Sequence, residues 1–388
     1  MQLSLRQQLA QFAHLLQMQL FPILEQASGE LDETAKRFVT TLEMIPLARF
    51  VPCGEGGMGR PRKNRYALAC AFVAKAVYGL ALTRQLLQRL RQDGTLRRLC
   101  GWNTVAQLPG ESTFSRAFAE FAQMELPQLV HAALIADTQK HRLIGHIARD
   151  STAIEAREHF PERPTQSTAE KPPVPARKMG APKGPHKRYK GGKRPYQPPS
   201  DTRMRRQRSM TLPEMLAELP RHCSLGVKTA DGGNQQYWRG YKLHLDVADG
   251  QIPISAILTA ASLHDSQVAI PLATMTAQRV TNCYDIMDAA YDATEIMEHS
   301  RSLGHVPIIR PVKRMRKIAF QGEQPSRQFS WAEEDRFRER TMVERVNARL
   351  KDEFGGRQIR LRGASKIMAH LMFGVLALTV DQLLKLAC

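Results

Sequence analysis

Near residue 142 the hydrophobic period of this chain changes, and that change limits its fold more than any other feature. Upstream, apolar residues keep helical spacing: Leu3, Leu5, Leu9, Phe12, Leu16 and Leu20 form one stripe, Leu68, Phe72, Val77 and Leu80 a second, and Leu86, Leu87, Leu90 and Leu96 a third. A Gly- and Pro-rich loop from Pro52 to Pro61 follows the first stripe, and after Pro109 either Ser112 or Thr113 is placed to cap a helix over Phe114 to Met124. Downstream, Leu143 to Ala148 is a short apolar run leading to Asp150. Tyr241 to Val247 alternates with period two, and Ile252 to Leu258 repeats the pattern after the turn Asp249-Gly250. Ser266 to Gln278 then reads as helix, Cys283 to Met287 as a strand ending at Asp288, Thr294 to Leu303 as helix and Val306 to Val312 as strand.

Three neighbouring antiparallel strands followed by alternating helix and strand predict an α/β fold: a ribonuclease H-like catalytic domain, its mixed sheet flanked by helices, behind an all-helical N-terminal domain. The expected boundaries are 1–135 for the helical domain and 140–388 for the catalytic one, interrupted by a basic, Pro-rich flexible insertion over 161–225. The helical region is rich in Arg (84, 89, 91, 97, 98, 116), which suits a helix-turn-helix-like DNA-binding module or, equally, a bundle with a solvated basic face.

Charge enters the argument through the insertion. The chain carries a formal +19, and between Lys171 and Arg208 alone 13 Lys or Arg stand against one acid, Asp201. Ten of the 23 prolines fall between Pro161 and Pro199, and few aliphatic residues offset the ordering entropy, so an extended segment is expected. Its basic residues, among them Lys187, Arg188, Lys190, Lys193, Arg194, Arg205 and Arg206, with Tyr189 and Tyr196 interleaved, read as double-stranded DNA contacts that gain affinity by counterion release; a solvated linker is the plainer alternative.

Two carboxylates are expected at strand ends, Asp150 in ARDST and Asp288 in MDAAYD, where α/β sheets collect ligands. A third is Glu344: at 100° per residue Phe337, Arg340, Glu344 and Lys351 share one helical face, beside an apolar stripe of Val343, Val346, Leu350 and Phe354. Singly, a strand-end Asp is often a cap and a Glu among basic residues a surface ion pair. Together, three converging carboxylates call for cations with a preference for hard oxygen, Mg²⁺ or Mn²⁺, and two such ions serve an in-line phosphodiester displacement. Arg340 and Lys351 then hold the phosphate backbone. Asp285 lies inside its strand and Asp292 can cap the helix at Thr294. Asp265 reads as the cap of the helix from Ser266, and His141, His146 and His159 match no zinc spacing.

These residues resemble the DDE transposases of bacterial insertion sequences, the superfamily (IS-four/IS-five-like) whose glutamate helix carries Tyr, two residues, Arg, three residues, Glu, six residues, Lys. Phe337, Arg340, Glu344 and Lys351 keep that spacing, with Phe337 in place of Tyr; it lacks the hydroxyl and is expected to contact DNA by stacking on a base or sugar. DSTAI at Asp150 and DAAYD at Asp288 look like the first two acidic motifs, GYKLH and ASLHDS like the strands between them, and LRGASKIMAHLMFGVLALT and the stretch from GRPRK to GW like the flanking regions. The resemblance implies Asp150, Asp288 and Glu344 as catalytic, metal-holding residues with two Mg²⁺ or Mn²⁺ ions. It further implies cleavage at element ends, transfer of the freed 3′-hydroxyl into target DNA, and a homodimer or higher assembly that synapses two ends. The alternative readings are a DNA-binding regulator on an inactive transposase scaffold, against which the full set of carboxylates and the basic pair weighs, and a ribonuclease H-type nuclease or resolvase that hydrolyses without strand transfer.

Six cysteines without close spacing argue against a disulfide scaffold or thiolate metal site. The N-terminus lacks a secretory pattern, and Ile367 to Val380, free of Asp, Glu, Lys and Arg, is too short for a membrane span and reads as a buried helix. The expected location is the cytoplasm, on the nucleoid when DNA is bound.

Overall fold

Local capping chemistry opens several N-terminal helices in the computed structural model, which describes residues 3–51, 63–158, 202–229, 234–311 and 329–387. Ser4 and Gln7 form a capping box at α1 (Leu5–Leu15), which runs through a π-helical turn, Leu16–Leu20, into α2 (Phe21–Ser28). Asp32 caps α3 (Glu33–Met44), Asn64 caps α4 (Arg65–Val77), and after α5 (Thr83–Gln92) Asp93 caps α6 (Gly94–Leu99). α7 (Glu111–Gln123) starts after Gly110 without a side-chain cap, so Ser112 and Thr113 lie inside its first turn, ahead of α8 (Leu126–Gln139).

The sheet begins with β1 (Leu143–Glu155). The segment expected to be extended as far as 225 is folded from 202 onward, into α9 (Arg203–Gln207), α10 (Leu212–Glu218) and β2 (Ser224–Thr229). The reason is a local apolar set: Met215 is buried, Leu219 joins Ile257, Leu263, Val268 and Leu272, and the buried Gln207 amide donates to the Gln267 carbonyl at 3.1 Å. β3 (Gln235–Ala248), β4 (Ile252–Ala260), α11 (Ser266–Ala277), β5 (Thr281–Met287), α12 (Thr294–Ser302) and β6 (Val306–Ile309) follow. β4, β3 and β1 are antiparallel neighbours, β1, β5 and β6 are parallel, and β2 extends the sheet on the N-terminal half of β3. This is a ribonuclease H-like sheet. Gly240 has φ 152°, and a Cβ there would run into the Ile154 carbonyl, so the β1–β3 crossing point requires glycine.

Two further helices, α13 (Trp331–Arg338) and α14 (Thr341–Asp352), precede α15 (Ala364–Lys385). α15 is long and apolar enough to cross a bilayer, yet it is mostly buried against α3, α4, α7 and α8. One apolar cluster therefore runs from Leu9 through the sheet to Leu383, and the helical region and the sheet share a core.

Candidate active site

β1 and β5 run parallel with Ile147 opposite Asp285 and Arg149 opposite Met287, the last paired position. Asp150 and Asp288 occupy the next step on each strand, so their backbones are neighbours about 5 Å apart. β5 stops there, but β1 continues to Glu155 because β3 still pairs with it on the other side; Asp150 is thus not at a strand end, only at the end of β1's parallel edge. Because side chains alternate, Arg149 and Met287 meet on one face, with Arg149 Nη1 3.3 Å from Met287 Sδ, and the two aspartates take the opposite face.

Asp288 turns the chain: its Oδ1 accepts the Ala290 N–H at 2.9 Å and opens a 3₁₀ turn, Ala289–Tyr291. Burial pushes the Asp150 carboxyl up to about 7, with Asp288 and Asp265 adding to the rise while the Ser151 N–H and Arg340 oppose it. Asp288 is raised as well, by burial first and then Asp265, against the Ala290 N–H, Arg340 and His264. Two hard carboxylates that each disfavour ionisation side by side are a donor set suited to Mg²⁺ or Mn²⁺.

Glu344 lies across Arg340 from this pair. Arg340 Nη2 donates to Glu344 Oε1 at 2.5 Å, and its Nη1 is 4.0 Å from Asp150 Oδ2. The expected single helix is broken at Glu339–Arg340, so Arg340 stands at the N-terminus of α14, between the two acids. Among the described residues no three His, Cys, Asp or Glu side chains lie close enough together to hold a metal ion, so Glu344, half exposed, does not converge on the aspartates here. The apolar stripe of the helix is as expected, with Val343, Val346, Leu350 and Phe354 buried.

Phe337 is half-buried among neighbouring side chains: its ring lies 5.4 Å from that of Phe329, with the Arg310 guanidinium 4.5 Å and that of Arg340 5.9 Å from its centre. Lys351 is about 16 Å along the helix axis from Arg340. Burial and the nearby Arg357 lower its ammonium, and Glu155 raises it. Of the basic residues from the insertion, Arg205 donates to Glu295 at 3.0 Å and Arg206 pairs with Glu218, both within the fold; Lys187, Arg188, Lys190, Lys193 and Arg194 lie outside the described residues.

Asp285 is buried and its carboxylate oxygens accept from Ser300 Oγ (2.6 Å), His305 Nδ1 (3.1 Å) and Asn282 Nδ2 (3.1 Å). Burial would raise it, but His305 and Arg149 hold it down near 2. α12 begins at Ala293 without a side-chain cap, so Asp292 does not cap it. Nor does Asp265 cap α11; its Oδ1 accepts Lys242 Nζ at 2.9 Å, and Ser151 also bonds it. Burial would raise Asp265 too, and because His244 is itself depressed to about 4 by burial and neutral, Lys242 is the charge that holds Asp265 low. Asp265 and Lys242 are the neighbours of the site that the sequence did not reveal. The signal was present in YKLHLDV, where Lys242, His244 and Asp246 alternate as a polar face, the pattern of a solvent-facing strand; here that face is turned inward.

A family model described as "Transposase DDE domain" matches residues 203–380, and one described as "Transposase domain (DUF772)" matches residues 30–120. The first takes in Asp288, Arg340, Glu344 and Lys351 and leaves β1 with Asp150 upstream of its start. No curated protein and no solved structure matches the chain.

Proposed function

Because the chain belongs to the DDE transposases of insertion sequences, we propose that its crevice carries out metal-dependent cleavage at element ends followed by transfer of the 3′-hydroxyl into target DNA. The observation that supports this most is the placement of Asp150 and Asp288 on adjacent parallel strands, both carboxyls raised, with Arg340 joining Glu344 to them. Asp150, Asp288 and Glu344 are the residues that would hold two Mg²⁺ or Mn²⁺ ions, which when bound supply activation of the attacking oxygen and charge relief at the leaving one. Arg340 is the cation nearest the pair, and its fork-shaped guanidinium suits a phosphate. A DNA phosphate competes with Glu344 for that guanidinium, and the exchange frees Glu344 to turn toward the aspartates. Phe337, already packed against two guanidiniums, holds Arg340 in place instead of stacking on a base. The partners are double-stranded DNA of the element ends and target, bound by a homodimer or larger assembly in the cytoplasm.

The test is cleavage of a labelled duplex taken from the ends flanking the coding region, with and without Mg²⁺. Asp150→Ala, Asp288→Ala and Glu344→Ala should each abolish cleavage and spare binding; cleavage retained by any one removes that residue from the site. Joining of a precut 3′-hydroxyl end to plasmid DNA separates a transposase from a nuclease that only hydrolyses.

A further inference from the structure

A second concentration of charge lies away from the carboxylates, at the far end of β1. Among the described residues, a recess of about 450 Å³ is lined by Arg157, Arg239, Arg360 and Arg362. Four like charges around one cavity repel one another and have no packing value, since all four residues are exposed. The chain brings them together by firm local structure. After α14, Ile359 and Leu361 turn into the core while Arg360 and Arg362, between and after them, face out. Arg157 follows the end of β1, and Arg239 precedes Gly240 at the crossing point.

The carboxylate next to Arg157 in the chain, Glu158, is spent elsewhere. Glu158 accepts the Gly363 N–H at 2.6 Å and the Tyr241 hydroxyl at 2.9 Å, which ties the arginine segment to the end of β1. Among the described residues Arg157, Arg360 and Arg362 have no ion-pair partner, whereas the Arg-rich α9 finds Glu218, Glu295 and Glu298. A neighbouring recess of about 330 Å³ is lined by Lys351 and Arg357 together with Gly79 to Ala81 of the helical region, and there Arg357 is paired to Asp352 at 2.8 Å.

We infer that the four-arginine recess holds the backbone phosphates of duplex DNA at a fixed distance from the scissile phosphate. This rests on the proposed function for the position of the cut. Asp150 and Arg157 are seven residues apart, five along β1 to Glu155 and two past its end, a span of about 23 Å at full extension, and a duplex advances about 3.4 Å per base pair. The recess therefore meets the backbone about seven base pairs to one side of the cut. Guanidinium forks suit phosphate oxygens, and the contact carries no sequence information.

The experiment uses the full chain and its Arg157→Gln/Arg360→Gln/Arg362→Gln variant, with Kd measured against salt. The duplexes carry an element end with about 15 base pairs on both sides of the cut, or are trimmed to about 4 on one side or the other. Loss of three phosphate contacts should lower the slope of log K against log salt by about 3 on the long duplex. It should leave the slope unchanged on one of the two trimmed duplexes, and the Arg→Lys triple variant should restore the wild-type slope. An unchanged slope on the long duplex, or an equal fall on both trimmed ones, overturns the inference. Absence of Mg²⁺-dependent cleavage by the wild-type chain would instead sink the proposed function, and the slope on a long duplex of any sequence would still decide whether the recess binds backbone.

Discussion

The two faces of the β1–β5 strand pair handle buried charge in opposite ways. On one face Arg149, 2% exposed, donates to both oxygens of Asp246 at 2.8 Å, and Thr276 bonds the same carboxylate at 2.6 Å. Asp285 is satisfied as thoroughly by Ser300, His305 and Asn282. One residue on, at Asp150, and three on, at Asp288, the carboxylates are crowded, partly exposed and raised. A charge whose partners are supplied by the fold serves the fold, whereas a charge left short of partners at the mouth of a crevice is available to a ligand. The cost of the second arrangement is stability, a common trade at active sites.

The largest test of that contrast is Asp150→Asn. It should reduce Mg²⁺-dependent cleavage at least about 1000-fold, the loss expected when a group that acts on the transition state is removed, and raise the urea midpoint, because it deletes a carboxylate that burial and Asp288 disfavour. A lowered midpoint would move Asp150 to the structural face of the comparison. Asp246→Ala should do the reverse, destabilising by about 3–5 kcal/mol by leaving Arg149 buried and unpaired. Replacing Arg149 and Asp246 together by Met and Leu should cost much less, and urea unfolding of the three variants compares them directly.

Lys75 sharpens the comparison from the helical core. It is buried like Arg149 but faces no carboxylate: its Nζ meets His370 Nδ1 at 3.2 Å, and His370 Nε2 donates to the Gly355 carbonyl at 3.0 Å. Burial pushes Lys75 from 10.5 down to about 7. Between those values the unfolded chain binds the extra proton, so this residue contributes stability that rises with pH from about 7 toward 10, by at most about 1.4 kcal/mol per unit. Subtracting the pH profile of Lys75→Met from that of the wild type, by urea unfolding at pH 7, 8 and 9, should isolate that rise; coincident profiles would place the ammonium in contact with water. The smallest effect is expected at Tyr291, buried at 1% exposure with a hydroxyl that has no hydrogen-bond partner among the described residues. Tyr291→Phe should stabilise by about 1 kcal/mol and leave cleavage intact. Lost cleavage would assign that hydroxyl to the carboxylate side.

Periodicity carried the sheet: the antiparallel trio β4–β3–β1 and the α11–β5–α12–β6 alternation follow from short apolar runs and turn residues such as Asp249-Gly250. The break before Arg340 left no such mark, because the backbone there stays helical in its angles and only the hydrogen bonding changes. α9 and α10 were hidden by composition, since an Arg-rich stretch reads as solvated until Glu218, Glu295 and Glu298 are known to face it.

By itself the sequence determined the order of elements from β3 to β6, the burial of the charge-free helix Ile367 to Val380, and that Asp288 closes its strand, because all of these depend on spacing along one chain. The tertiary structure decided the partners. It turned the polar face of β3 inward onto Arg149, made Asp265 a partner of Lys242 instead of a cap, and gave Glu344 to Arg340. It also gathered four arginines from three separate segments around one recess. The energy of a charge depends on what stands within a few ångströms of it, and for residues far apart in the chain only folding sets that distance.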